Sequence, residues 1–241
     1  MVKSHTILAA AAILGGLLIA APQIAEAQAP MNVFTPPRGT PCTPEPGWWN
    51  CFVLVDPKIT IMSLDGTSEH FRMAVANIYG EMTKRLSAKY PKAKMNGYKI
   101  YLTNGKPWSA LANLQPIGSM WPDKTGEMSG DWLRGGTTMN YLWIDEQMMC
   151  KTGVKTRGAK DKSQRTYDQV IHEFGHAFAY RFGLDGRINT TWPGNRSAPE
   201  NFAWSVQYWF SSPAGGFPES KAWMEEMFTS KASFSCQGYK P

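Results

Sequence analysis

The sequence predicts an α+β fold, and three observations carry the prediction: helical periodicity in three separated segments, β-type alternation in two stretches, and no internal repeat. The first 27 residues stand apart. Lys3 precedes an apolar run from Ile7 to Ala21, and Ala25-Glu26-Ala27 forms a small-residue cleavage pattern. That is the layout of a secretory signal peptide, so cleavage near Ala27 and a secreted or periplasmic location are expected. The run is short for a bilayer, and no later stretch approaches the roughly 20 apolar residues a membrane helix needs. Residues 28–241 are enough for one domain with its own core, and no linker divides them.

The elements follow in order. A Pro-rich entry, APMNVFTPPRGTPCTPEPGWW (29–49), reads as irregular. In TSEHFRMAVANIYGEMTKRLSAKYP (67–91), Phe71, Val75, Ile78, Met82 and Leu86 recur at steps of three and four, which predicts an amphipathic helix closed by Pro91. GYKIYLTN (97–104) alternates and predicts a strand; TTMNYLWIDEQM (137–148) gives a second strand signal. The part MNYLWID (139–145) is expected at a sheet edge along a cleft, with Tyr141 and Trp143 as candidate substrate contacts.

TYDQVIHEFGHAFAYRFGLDG (166–186) turns helical. Tyr167, Ile171, Phe174, Phe178 and Phe182 form one stripe, His172 and His176 lie roughly opposite, and Gly183 ends the helix. Gly175 and Ala179 flank the histidines, and their small side chains leave room for another element to come close. A further helix starts at SAPENFAWSVQYWF (197–210), with Ser197 suited to the N-cap, Pro199 to the first turn, and Phe202, Val206, Trp209 and Phe210 to a core face.

Composition narrows the partners. A formal net charge of +6 favours adhesion to anionic surfaces, but the main basic run, KTGVKTRGAKDKSQR (151–165), has no interleaved aromatics and reads as a solvated loop. Nucleic acid is not the expected partner. The four cysteines, Cys42, Cys51, Cys150 and Cys236, all follow the predicted cleavage site, and an even count in an exported chain predicts two disulfides. The expected pairs are Cys42 with Cys51, closing a short loop, and Cys150 with Cys236, tying the tail to the middle.

The chemistry concentrates at His172-Glu173-x-x-His176. Residues four apart on a helix stack one turn apart, so both imidazoles can reach one ion, and the carboxylate between them can act on a water at that ion. A catalytic zinc takes three protein ligands, so a third is needed. No histidine follows the motif, which leaves the carboxylates Asp185, Glu200, Glu219, Glu225 and Glu226. Asp185 follows too soon for the chain to fold back, and the last three sit in an exposed acidic helix start. Glu200 opens a separate helix 24 residues after His176, with room for a loop and a return. Its competing role is as the far member of a Ser197-x-x-Glu200 capping box.

HEFGH followed by ENFAW resembles the Glu-zincin metallopeptidases, and over residues 166–210 is similar in particular to anthrax-lethal-factor-like peptidase domains. The resemblance implies a zincin-like domain with a small mixed sheet, an active-site helix and a ligand-bearing second helix. It further implies zinc held by His172, His176 and Glu200, Glu173 as general base, and a protein or peptide as substrate. Two positions depart from the pattern. Trp204 stands where such families often carry a second acidic residue, and no residue matches the usual oxyanion-stabilising offset, which leaves Tyr180, Tyr208 and Arg196 as candidates. The expected function is therefore an exported zinc metalloendopeptidase; the alternative is an inactive, zinc-stabilised exported module that binds protein or cell-envelope polymer.

Overall fold

The computed structural model describes residues 31–106, 108–119, 135–148, 168–184, 198–211, 218–232 and 234–235. Its centre is a mixed six-stranded sheet built from β2 (Gly39–Pro41), β3 (Asn50–Leu54), β4 (Thr60–Ser63), β5 (Lys99–Thr103), β6 (Gly135–Thr137) and β7 (Tyr141–Asp145). The strand order is β2-β3-β4-β5-β7-β6. The pairs β4–β5 and β5–β7 are parallel, and the others are antiparallel. A small parallel ladder joins β1 (Met31–Asn32) to β8 (Phe234–Ser235).

Helix α1 (Glu69–Lys84) connects β4 to β5. It starts at Ser68, whose side chain accepts the Phe71 N–H at 3.2 Å and also donates to Glu146. Phe71, Val75, Ile78 and Met82 are all buried, as their spacing predicts. The helix stops at Lys84, seven residues before Pro91. Arg85, just past its end, is paired with Glu81 and Ser230, and its carbonyl accepts the Thr229 N–H at 2.7 Å. Leu86, the last residue of the predicted stripe, instead forms a β-bridge with Phe228. Tertiary pairing with the chain after α5 (Pro218–Met227) thus ends α1 earlier than the periodicity alone predicts.

The Pro-rich entry is less irregular than expected: it contributes β1 and β2. Pro41 lies in β2 at one edge of the sheet, where a missing N–H costs no ladder bond. The short helix α2 (Trp108–Leu111) and its following turn help cover one face of the sheet, where Trp48, Met62, Leu64, Tyr101, Leu111, Ile117 and Trp143 form a second core cluster. The opposite face carries the main core. There Ile100, Leu102, Leu142 and Ile144 pack with residues of α1, of α3 (Asp168–Phe182) and of α4 (Ala198–Ser211). Among the described residues no helix is long and apolar enough to cross a membrane.

One sequence expectation fails here. Residues 139–145 are not a sheet edge, because β7 is hydrogen-bonded on both sides, to β5 and to β6. Met139 and Asn140 belong to the turn before it, and the edge strand is β6. The physical reason is readable in Tyr141-Leu142-Trp143-Ile144. An apolar run without polar alternation fits a strand buried on both faces, and Leu142, Trp143 and Ile144 are all fully buried.

A candidate metal centre between two helices

Helix α3 is held to the sheet by Ile171, Phe174 and Phe178, which join the main core together with Ala177 and Ala179. It ends at Gly183, whose φ of 65° is left-handed, and the Leu184 N–H then reaches back to the Ala179 carbonyl at 2.8 Å. With that stripe turned to the core, His172 and His176 face α4. The small residues do what their size allows: a methyl group on Gly175 would lie 2.6 Å from Ala203 Cα, so the α3 and α4 backbones are nearly in contact there.

That close approach brings Glu200, in the first turn of α4, to the histidine pair. The His172 and His176 Nε2 atoms are 3.2 Å apart. His172 Nε2 lies 3.4 Å from Glu200 Oε2, and His176 Nε2 lies 3.3 Å from Glu200 Oε1. The three side chains form a group that could hold a metal ion. Charge-assisted N–H···O bonds run at about 2.7–2.9 Å, so these separations are longer than direct ion pairing would draw them. Both histidines are more than nine-tenths buried, whereas the Glu200 side chain is 42% exposed. The cluster therefore sits at the mouth of the α3–α4 seam, reachable from solvent on the glutamate side.

Electrostatics bind the group together. The two imidazoles hold the Glu200 carboxyl far below the usual carboxylate range. Burial pulls the His176 pKa down, but the Glu200 hydrogen bond and the charges of Glu173 and Glu200 outweigh it, so the net shift is upward. Both Nδ1 atoms are buried with no hydrogen-bond partner among the described residues. Trp204, one turn after Glu200 on α4, packs edge-on against the His172 ring at 5.3 Å.

Glu173, beside the histidine pair on α3, reaches the edge strand of the sheet. It is 5% exposed, and Thr137 of β6 donates a hydroxyl hydrogen bond to its Oε2 at 2.5 Å. A methyl group on Gly135, also on β6, would lie 3.2 Å from Glu173 Oε1. Neither β6 residue was among the sequence candidates. The Gly-Gly-Thr-Thr stretch before the turn is the signal that could have drawn attention to them.

Two predicted contacts do not reach the site. Trp143 is fully buried, donates its indole N–H to Thr103 Oγ1 at 2.9 Å, and lies in the second cluster on the sheet face away from α3. Tyr141 faces the same side, packs edge-on against Tyr101 and donates to the Pro116 carbonyl at 3.2 Å. Alternation along β7 is the cause, since Leu142 and Ile144 take the helix side. Of the oxyanion candidates, the Tyr180 ring stacks on His176 at 6.4 Å and the Tyr208 ring lies 5.8 Å from Trp204. Arg196, Ser197 with its capping box, and Asp185 lie outside the described residues, as do the signal segment, Cys150 and Cys236. The Cys42–Cys51 disulfide is formed, tying the start of the chain to β3. Comparisons with protein-family models, with curated proteins and with solved structures returned no match.

Proposed function

We propose that the protein is an exported zinc-dependent metallopeptidase of the Glu-zincin type, with His172, His176 and Glu200 as metal ligands and Glu173 as general base. The observation that carries the reading is the convergence of three side chains: the two Nε2 atoms lie 3.2 Å apart, and each lies 3.3–3.4 Å from a different carboxylate oxygen of Glu200. Ligands set tetrahedrally around zinc at about 2.0–2.1 Å lie roughly 3.3–3.4 Å apart, so the imidazole pair and each imidazole–carboxylate pair have the spacing of two ligands on one ion. Two imidazoles also speak for zinc against calcium or magnesium, which take oxygen donors. Three protein ligands leave a fourth position, the mark of a catalytic rather than a closed structural site.

Bound there, zinc would supply Lewis acidity, lowering the pKa of a water to about 7 and polarising a carbonyl. Every other part of the chemistry falls to the chain. Glu173 takes the proton of the attacking water as the new C–O bond forms and then passes it to the nitrogen of the leaving amine, on which the C–N bond breaks. The buried rims of His172 and His176 keep bulk water from the back of the site, and the half-exposed Glu200 marks its open side. An extended peptide would pair with the outer edge of β6, whose inner edge is satisfied by β7 and whose residues border Glu173. Tyr180, whose ring stacks on the His176 ring, is the described tyrosine placed to serve a developing oxyanion.

The test is metal analysis of the purified mature protein beside hydrolysis of a mixed peptide library. Near-stoichiometric zinc with cleavage that a chelator abolishes supports the reading. Zinc without cleavage would favour the inactive binding module, and protein that neither carries nor takes up zinc would end both.

A further inference from the structure

Resting on the metallopeptidase reading, we propose that Thr137 is a positioning residue: its hydroxyl fixes the carboxylate of Glu173 to the edge strand β6, so that the general base is held between two elements rather than by its own helix alone. A glutamate side chain has three rotatable bonds and loses considerable rotamer freedom when it is ordered, so a base on a helix needs an outside anchor to stay aimed. Threonine suits the task because branching at Cβ restricts its χ1. Its backbone is held in turn, in register with Leu142 across the antiparallel β6–β7 pair. The hydroxyl has one proton to give, and it lies 2.5 Å from Glu173 Oε2 against 3.2 Å from the Glu173 carbonyl oxygen, so the carboxylate is the preferred acceptor.

Gly135, two residues earlier on the same face of β6, completes the seat. Any side chain there would approach within 3.2 Å of Glu173 Oε1 and equally close to the Trp143 carbonyl, so the glycine leaves the second carboxylate oxygen uncrowded. One strand thus does two things for one carboxylate: it grips Oε2 through residue 137 and makes space for Oε1 at residue 135. A purely structural staple between β6 and α3 would need the first feature only, and an apolar contact would serve it as well.

The experiment uses the mature zinc-loaded protein and compares Thr137→Val, Thr137→Ser and Gly135→Ala with the wild type. Thr137→Val keeps the shape and removes the donor. It should lower kcat roughly 10- to 100-fold while leaving KM within about twofold and the zinc content unchanged. Thr137→Ser should stay within about threefold of wild type. Gly135→Ala, which crowds the carboxylate without touching the hydroxyl, should also lower kcat at constant zinc. Thermal unfolding supplies the readout independent of turnover: Thr137→Val should lower Tm in the wild-type background and leave it unchanged in a Glu173→Ala background. An active wild type whose kcat survives Thr137→Val, a serine variant as poor as the valine one, or an equal Tm loss in both backgrounds would each overturn the inference while leaving the metallopeptidase reading intact. A zinc-loaded wild type that cleaves no peptide would instead overturn that reading, and the positioning role with it.

Discussion

Gly175 is where the fold and the candidate site depend on each other most directly, and Gly175→Ala is the sharpest test of that dependence. The added methyl would lie 2.6 Å from Ala203 Cα, 3.1 Å from Ala203 O and 3.2 Å from Ala203 Cβ. Ordinary van der Waals contact begins near 3.4 Å, so α3 and α4 must separate locally by about 0.8 Å. Metal–ligand distances tolerate only about 0.2 Å. Both histidines ride on α3 and Glu200 rides on α4, so the substitution should leave the His172–His176 pair intact and carry Glu200 out of range. The expected result is zinc affinity weakened at least ~100-fold, about 2.7 kcal/mol, measured by competition with a chromophoric chelator. The effect on folding should be smaller: overpacking costs about 1–3 kcal/mol, offset by roughly 1 kcal/mol of helix propensity gained over glycine. Gly80→Ala in α1, where a methyl group would meet nothing within 4 Å, is the control and should raise stability by about 0.5–1 kcal/mol with no change in zinc binding. Wild-type zinc affinity in Gly175→Ala would refute the claim that this contact sets the ligand spacing.

The remaining predictions test the site and its frame. Alanine at His172, His176 or Glu200 should each strip most of the zinc and abolish hydrolysis, whereas Glu173→Gln should keep zinc near stoichiometric and lose most turnover; atomic absorption and a peptide assay on the four variants read the difference, and a zinc-free Glu173→Gln would contradict the assignment. In the metal-free protein, the pair formed by Glu200 and His176 should stabilise the fold within a pH window. Glu200, lowered from 4.5, contributes above that value and loses its contribution as pH falls through its depressed pKa; His176, raised from 6.5, contributes below that value and loses it as pH rises through its elevated pKa. The stability difference between wild type and Glu200→Gln, from urea melts across pH, should therefore be largest between about 4.5 and 6.5, and a difference that only grows above pH 7 would refute the coupling. Replacing Cys42 and Cys51 by serine should cost about 2–3 kcal/mol, the loop-closure entropy of their nine-residue separation, without altering zinc content, because the disulfide ties β3 at the other end of the sheet.

Helices α3 and α4 were legible because each carries its own evidence: a stripe of large apolar residues that must be buried, and polar residues placed off the stripe. Phe174 and Phe178 orient α3, Phe202 and Val206 orient α4, and the histidine–glutamate convergence follows once both helices share a core. The sheet was harder to read. Strands β3 and β4 lie in NCFVLVDPKITIMS, two apolar stretches around an Asp56-Pro57 turn, and short runs of that kind do not separate strand from buried coil by periodicity alone. The assignment of Tyr141 and Trp143 failed for a related reason. Choosing substrate contacts on β7 requires knowing which of two apolar faces meets α3, and that is fixed by the long-range pairing of Lys99 with Tyr141, not by local sequence.

The same limit explains why the edge-strand partners of Glu173 escaped notice while its neighbours on the helix did not. His172 and His176 are related to each other by a spacing that any helix imposes, so their common face is written into four consecutive bonds of the chain. Thr137 lies 36 residues before Glu173, and nothing in its own stretch says that a carboxylate will arrive above it. What places it there is the antiparallel addition of β6 beyond β7, with residues 135 and 137 sharing one side of the pleat, beneath the helix that the same sheet face packs against. On the proposed reading, the convergence of His172, His176 and Glu200 is a property of local spacing and of one helix–helix contact at Gly175. The aim of Glu173 is on that reading a property of sheet order, and a variant that moved β6 without touching α3 or α4 should separate the two: zinc held as before, turnover lost.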